Sequence, residues 1–112
     1  MNDELFAMAD GVLMGRIYRH RTRDLLSFHY ENAWASDRDS FALSLSMPLT
    51  RPVHDDPAVE PFLWGLLPDN DGVLKRWGER FHVSAGNAFK LLCHVGEECA
   101  GAVQLIRPEM AD

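Results

Sequence analysis

The chain has 112 residues, 46% hydrophobic and 25% charged, with a formal net charge of −6 and a pI near 5.2. That is the composition of one ordinary globular domain, long enough to bury a core without disulfide or metal staples. The acidic balance speaks against nucleic-acid binding by the domain alone, since phosphate contacts need a basic surface. No apolar run reaches the roughly 18 residues of a membrane span, and the start Met1-Asn2-Asp3-Glu4 is acidic where a signal peptide is positive. A cytoplasmic protein without membrane contact is expected.

Leu5–Ala9 and Val12–Tyr18 flank Asp10-Gly11, a strong two-residue hairpin signal. A polar, basic loop from Arg19 to Asp24 follows. Leu26, Phe28 and Tyr30 then alternate with Ser27 and His29, which predicts a third strand over Leu25–Tyr30. Residues 31–40 are turn-rich, with Trp34 as a lid on the sheet edge. Phe41–Leu49 alternates strictly, placing Phe41, Leu43, Leu45 and Met47 on one face and Ala42, Ser44 and Ser46 on the other until Pro48 removes a ladder donor. This is the strongest strand signal of the chain, and it is followed by a loop over residues 50–56.

Asp56-Pro57 supplies a cap and first-turn proline for a helix ending at Leu67, with interior Pro61 shifting its regular start to near Glu60 and Pro68 stopping it. Asn70-Asp71-Gly72 opens a second helix carrying Val73, Leu74, Trp77 and Phe81 at helical spacing. A third helix spans Asn87–Val95, and Gly101–Ile106 is a last strand ended by Pro108. The expectation is one α+β domain over residues 1–112, with strands within 4–49, helices within 57–95 and a final strand over 101–106. Its architecture is an antiparallel sheet of about five strands packed with three short helices.

No catalytic constellation emerges. The sequence has no Gly-rich phosphate loop, paired metal-spaced histidines or nucleophile elbow. No catalytic, cofactor-binding or metal-binding residue is assigned, and an autonomous enzyme is not expected. Cys93 and Cys99 match neither a disulfide framework nor a zinc spacing and read as reduced thiols, Cys93 on the inner face of its helix. The five histidines, at positions 20, 29, 54, 82 and 94, are scattered and read as surface or loop residues.

The residue that does not fit a bland reading is Trp64. On a helix, Val59, Phe62, Leu63, Leu66 and Leu67 fall in an arc about 140° wide, and Trp64 points about 130° from its centre. A tilted helix could still bury it as core. The alternative is an interface anchor, which the position favours because a large flat side chain on an otherwise polar face is typical of binding hot spots. Gly65 beside it costs helix stability by about 1 kcal/mol relative to alanine, which is easier to understand if another backbone approaches closely. Leu66-Leu67-Pro68-Asp69-Asn70 has a structural account as two core leucines, a helix stop and a cap. Arg16, Arg19, His20, Arg21 and Arg23 form one basic cluster, read as a solvated hairpin end or, more sharply, as an anion-recognising patch.

Three stretches then carry a resemblance: Leu43-Ser44-Leu45-Ser46-Met47-Pro48-Leu49; Phe62-Leu63-Trp64-Gly65-Leu66-Leu67-Pro68-Asp69-Asn70; and Phe89-x-Leu91-Leu92-x-x-Val95-Gly96-Glu97-Glu98-Cys99-Ala100-Gly101-Ala102-Val103-Gln104. In this order they resemble the N-terminal subdomain of the HipA family of toxin kinases. A full HipA-like kinase continues with its Gly-rich loop, catalytic Asp and metal-binding Asp. A chain that stops at Asp112, six residues after Ile106, has none of these, which favours the small stand-alone subunit HipS of three-gene systems over the excised first subdomain of a longer HipA. The resemblance implies an antitoxin that needs no cofactor. It would bind and inhibit a HipT-like serine/threonine kinase toxin, in a ternary complex with a DNA-binding HipB-like protein, and the kinase's substrate would be an aminoacyl-tRNA synthetase. Trp64, Gly65, Asp69 and Asn70 would contact the kinase, Trp64 toward its cleft, with Arg19, Arg21 and Arg23 as a secondary contact.

Overall fold

The chain begins as a hairpin because Asp10 and Gly11 both take positive φ, 51° and 79°, the twist a two-residue turn between antiparallel strands requires. In the computed structural model, which describes residues 2–99 and 103–110, this turn joins β1 (Asn2–Ala9) to β2 (Val12–His20). Ala7 faces Gly15 while Met8 faces Leu13, so Met14 is the extra residue of a bulge. β3 (Leu25–Tyr30) pairs antiparallel with β2, and β5 (Val103–Ile106) returns to pair antiparallel with β1. With β4 (Val53–Asp55) on the far side of β3, the sheet is five-stranded and antiparallel in the order β4-β3-β2-β1-β5.

The strand count agrees with the sequence reading, but the fourth strand lies elsewhere. Phe41–Leu49 forms no strand beyond a single bridge between Ser44 and Met47, and the ladder position beside β3 is taken by residues 53–55, expected to be loop. The cause is Tyr30. Its hydroxyl accepts the Leu43 N–H at 2.7 Å and donates to the Met47 carbonyl at 2.6 Å, while Met47 N–H bonds the Ser44 carbonyl at 3.0 Å. The segment is thereby folded into a turn, so Leu43 and Met47 are buried and Leu45, at its tip, is fully exposed at 101%. Strict alternation here was produced by a turn whose ends happen to be apolar.

The same rearrangement buries His54, which the sequence reading left at the surface. It lies in β4 with Nε2 3.0 Å from the Pro48 carbonyl and its ring edge-on to Tyr30 at 5.8 Å. Trp34 sits in a single helical turn, α1 (Asn32–Ala35). It is half-buried against the core, donates its Nε1–H to the Phe41 carbonyl at 3.0 Å and meets the Phe41 ring edge-on.

Three longer helices follow: α2 (Asp56–Leu66), α3 (Asp71–Phe81) and α4 (Ala88–Cys99). α2 runs from Asp56, not from Glu60. Pro57 occupies the first turn, where its missing N–H has no intrahelical partner anyway, and Pro61 forfeits only the bond to the Pro57 carbonyl one turn back. The Asp56 carboxylate accepts the Leu26 N–H at 2.9 Å and ties this start to β3. Asn70 caps α3 through Oδ1 to the Val73 N–H at 3.1 Å, and α3 ends at His82 in the left-handed region with φ 57°. Leu5, Ala7, Met14, Ile17 and Phe28 of the sheet close on Val59 and Leu63 of α2 and on Phe89, Leu91 and Leu92 of α4. A short 3-10 turn at Pro108–Met110 follows β5. The expected strand start at Gly101 and Ala102, and the Cys99 thiol, lie outside the described residues and side chains.

Candidate protein-interaction surface

α2 buries a narrower stripe than periodicity suggests. Val59, Leu63 and Leu67 are buried, whereas Phe62 and Leu66 on one flank and Trp64 on the other are half-buried. Consecutive helical residues are about 100° apart, so Trp64 stands that far round from Leu63, rests partly on the core and keeps part of its indole at the surface. The core reading of Trp64 therefore holds for part of the ring, and the rest is left at the surface. Two hollows share Trp64 and Glu60. One, of about 390 Å³, is walled by Asp56, Pro57 and Pro61; the other, of about 50 Å³, runs toward Asp24, Leu26 and the Asn87–Phe89 start of α4.

Gly65 is exposed, and a Cβ built on it would meet nothing within 4 Å. No packing among the described residues calls for a glycine there. Asp69 is exposed beside it, while the Asn70 side chain is engaged as the α3 cap. Sequence reasoning overlooked Glu60, Pro57 and Pro61 as parts of this face. A signal was present: between Arg51 and Lys75 there is no lysine or arginine, but Asp55, Asp56, Glu60, Asp69 and Asp71 all fall in that interval.

The basic cluster is placed quite differently. Arg19 Nη1 lies 2.8 Å from one Asp3 oxygen and Arg19 Nε 2.6 Å from Asp24, with the Arg19 side chain only 11% exposed. Arg21 Nε holds the other Asp3 oxygen at 2.7 Å, and Arg16 pairs with Glu31 and Glu4. Arg23 is exposed on the turn, its backbone N–H donating to His20 Nδ1. Carboxylates of the same hairpin end thus neutralise most of the cluster.

Partial burial alone raises the Asp3 carboxyl, but hydrogen bonds and charge from Arg21 and Arg19 outweigh it and hold its pKa below the ordinary 3.8. A carboxyl depressed in the folded state stabilises the fold above its unfolded pKa, and that contribution is lost as pH falls through the folded pKa. Asp3→Asn is expected to cost about 1 kcal/mol at pH 7. Urea melts of both proteins should show the gap closing below pH ~3.8, where the wild-type carboxyl also protonates.

A larger hollow of about 550 Å³ is lined by Asp3, Glu4, Arg21, Lys90, Cys93, His94, Arg107 and Glu109 among others. Its charges are mixed. Burial pushes the Cys93 thiol up to about 11, so it is protonated at neutral pH and lacks the thiolate a nucleophile needs. Among the described residues no three His, Cys, Asp or Glu side chains converge as a metal site, and no helix is long and apolar enough to cross a membrane.

Residues 5–106 match the HipA N-terminal domain family. The chain belongs to that family. This HipA N-terminal domain is 34% identical over 97 residues to a putative kinase, Y4mE, of Sinorhizobium fredii, covering 87% of the domain and 23% of that protein. It is 32% identical over 95 residues to the serine/threonine-protein kinase toxin HipA of Shewanella oneidensis, covering 85% of the domain and 21% of the toxin. Among solved structures, HipA in a complex of Shewanella oneidensis HipA, HipB and operator DNA superposes with a TM-score of 0.80 at 29% identity, over 93% of the domain and 24% of that chain. The HipA N-terminal domain thus spans about a quarter of the length of these relatives. Of the three stretches that carry the resemblance, the first forms the turn bound by Tyr30, the second spans the end of α2 and the α3 cap, and the third runs along α4, where Gly96 meets Leu105 of β5.

Proposed function

We propose that this HipA N-terminal domain is an antitoxin subunit that binds a HipA-like serine/threonine kinase through the Trp64 face and inhibits it by occupancy, with no chemistry of its own. The observation that carries the reading is the partly exposed indole of Trp64 on α2, beside a Gly65 that no contact among the described residues explains. An aromatic anchor next to an unobstructed backbone is the arrangement a docking partner uses. Relatedness to a kinase toxin supports the choice of partner, and the HipA–HipB–DNA complex supports a DNA-binding HipB-like protein as a third member. We place the complex in the cytoplasm.

A second reading is favoured by the relatives' length. They extend about four times further, which suits a domain that stabilises a kinase in cis. Co-expression with the HipA-type kinase of the same genome separates the two. The antitoxin reading expects the wild-type chain to restore growth and to co-purify with the kinase. Trp64→Ala should lose about 2 kcal/mol of binding, roughly thirtyfold in affinity, and fail to rescue. A wild-type chain that co-purifies with the kinase but leaves it toxic would favour the structural role.

A further inference from the structure

The Trp64 face also carries carboxylates. Of the side chains bordering the 390 Å³ hollow, Asp56 and Glu60 are carboxylates, Pro57, Pro61 and Trp64 are apolar, and none is basic. Glu60 is exposed and makes no ion pair or side-chain hydrogen bond among the described residues. Asp56 is partly committed to the Leu26 N–H, so Glu60 is the carboxylate available to a partner. An indole face and an exposed carboxylate one helical turn away favour the same guest, a cation with a flat or slender stem.

We propose that the Trp64 face receives an arginine side chain of the partner, its guanidinium laid over the indole and paired with Glu60, its stem in the hollow walled by Pro57 and Pro61. The proposal rests on the reading of this face as the kinase-facing surface and adds the chemistry of what it grips. It also sets the direction of contact. The partner inserts a basic side chain into this domain, so part of the affinity is electrostatic and falls with salt.

The test has two arms. In the first, the purified chain binds the kinase at low and high ionic strength, as wild type, Glu60→Gln, Glu60→Lys and Trp64→Leu. Glu60 is exposed, so its variants keep the fold, and thermal melts confirm this. Glu60→Lys is expected to weaken binding about tenfold or more at low salt, Glu60→Gln by a smaller factor, and the wild-type affinity to drop with salt. Kinase binding that needs Trp64 but is indifferent to Glu60 and to salt would overturn this inference and leave the antitoxin reading standing.

The second arm needs no kinase. The Trp64 indole N–H resonance is followed by NMR during titration with acetyl-Gly-Arg-Gly-amide and, separately, with acetyl-Gly-Gln-Gly-amide. A shift with the arginine peptide that is larger than with the glutamine peptide and is lost in Glu60→Gln supports the arginine seat, even where no kinase binds and the antitoxin reading fails. Equal shifts with both peptides, or none, overturn it.

Discussion

Gly96→Ala is expected to lower the stability of the isolated domain by about 3 kcal/mol, despite the helix propensity that alanine adds. Gly96 is buried in α4, and a Cβ there would lie 2.6 Å from the Leu105 carbonyl oxygen and 2.9 Å from the Leu105 Cβ. Neither atom is the end of a flexible side chain. Relief requires lifting α4 off β5, which also disturbs Leu91 and Leu92 on the inner face of the same helix. Thermal denaturation should show a melting temperature lower by more than about 10 °C. Gly65→Ala is the matched contrast. Its Cβ has open space, so alanine should leave the free domain unchanged or more stable by about 0.5 kcal/mol while weakening the kinase complex. Opposite signs for two glycines of one chain would separate the packing role from the docking role.

The second large effect is expected at Tyr30. Tyr30→Phe keeps the ring and its edge-on contact with Phe28, and removes only the hydroxyl that joins the Leu43 N–H to the Met47 carbonyl. Both groups stay buried without a partner, and leaving a buried donor and acceptor unpaired costs about 3 kcal/mol together. Hydrogen exchange should report the change first at Leu43 and Met47, the two residues this oxygen ties to β3. A Tyr30→Phe protein as stable as wild type would mean that the 41–49 segment is anchored by its apolar side chains and by the bonds from His54 and Trp34 without the hydroxyl.

What was legible in the sequence divides along a physical line. The first hairpin, β3, the end of α2 and the Asn70 cap depend on local chemistry, namely Asp10-Gly11, strict alternation, a proline stop and an Asx side chain, and the structure has them in place. Phe41–Leu49 has the same alternation as β3 but no strand beside it, because a strand is defined by its partner and the Tyr30 hydroxyl binds that segment into a turn. The β4 position then falls to Val53–Asp55, too short to register as a pattern, and carries His54 inside with it. His82 ends α3 in a left-handed conformation without glycine, which local propensity does not anticipate. At the interaction surface, periodicity placed Trp64 off the apolar stripe but overstated its exposure. The ring leans back on the core, as a large side chain on a helix flank can. The acidity around it was visible as five carboxylates with no lysine or arginine between Arg51 and Lys75.

Whether the Trp64 face silences a kinase is tested most directly by ATP consumption of the purified HipA-type kinase as this chain is added. Wild type is expected to suppress turnover near one equivalent. Trp64→Ala, shown by its melting curve to be folded, should leave turnover close to the uninhibited rate at the same concentration. Unchanged turnover with the wild-type chain, or equal inhibition by Trp64→Ala, would contradict the account.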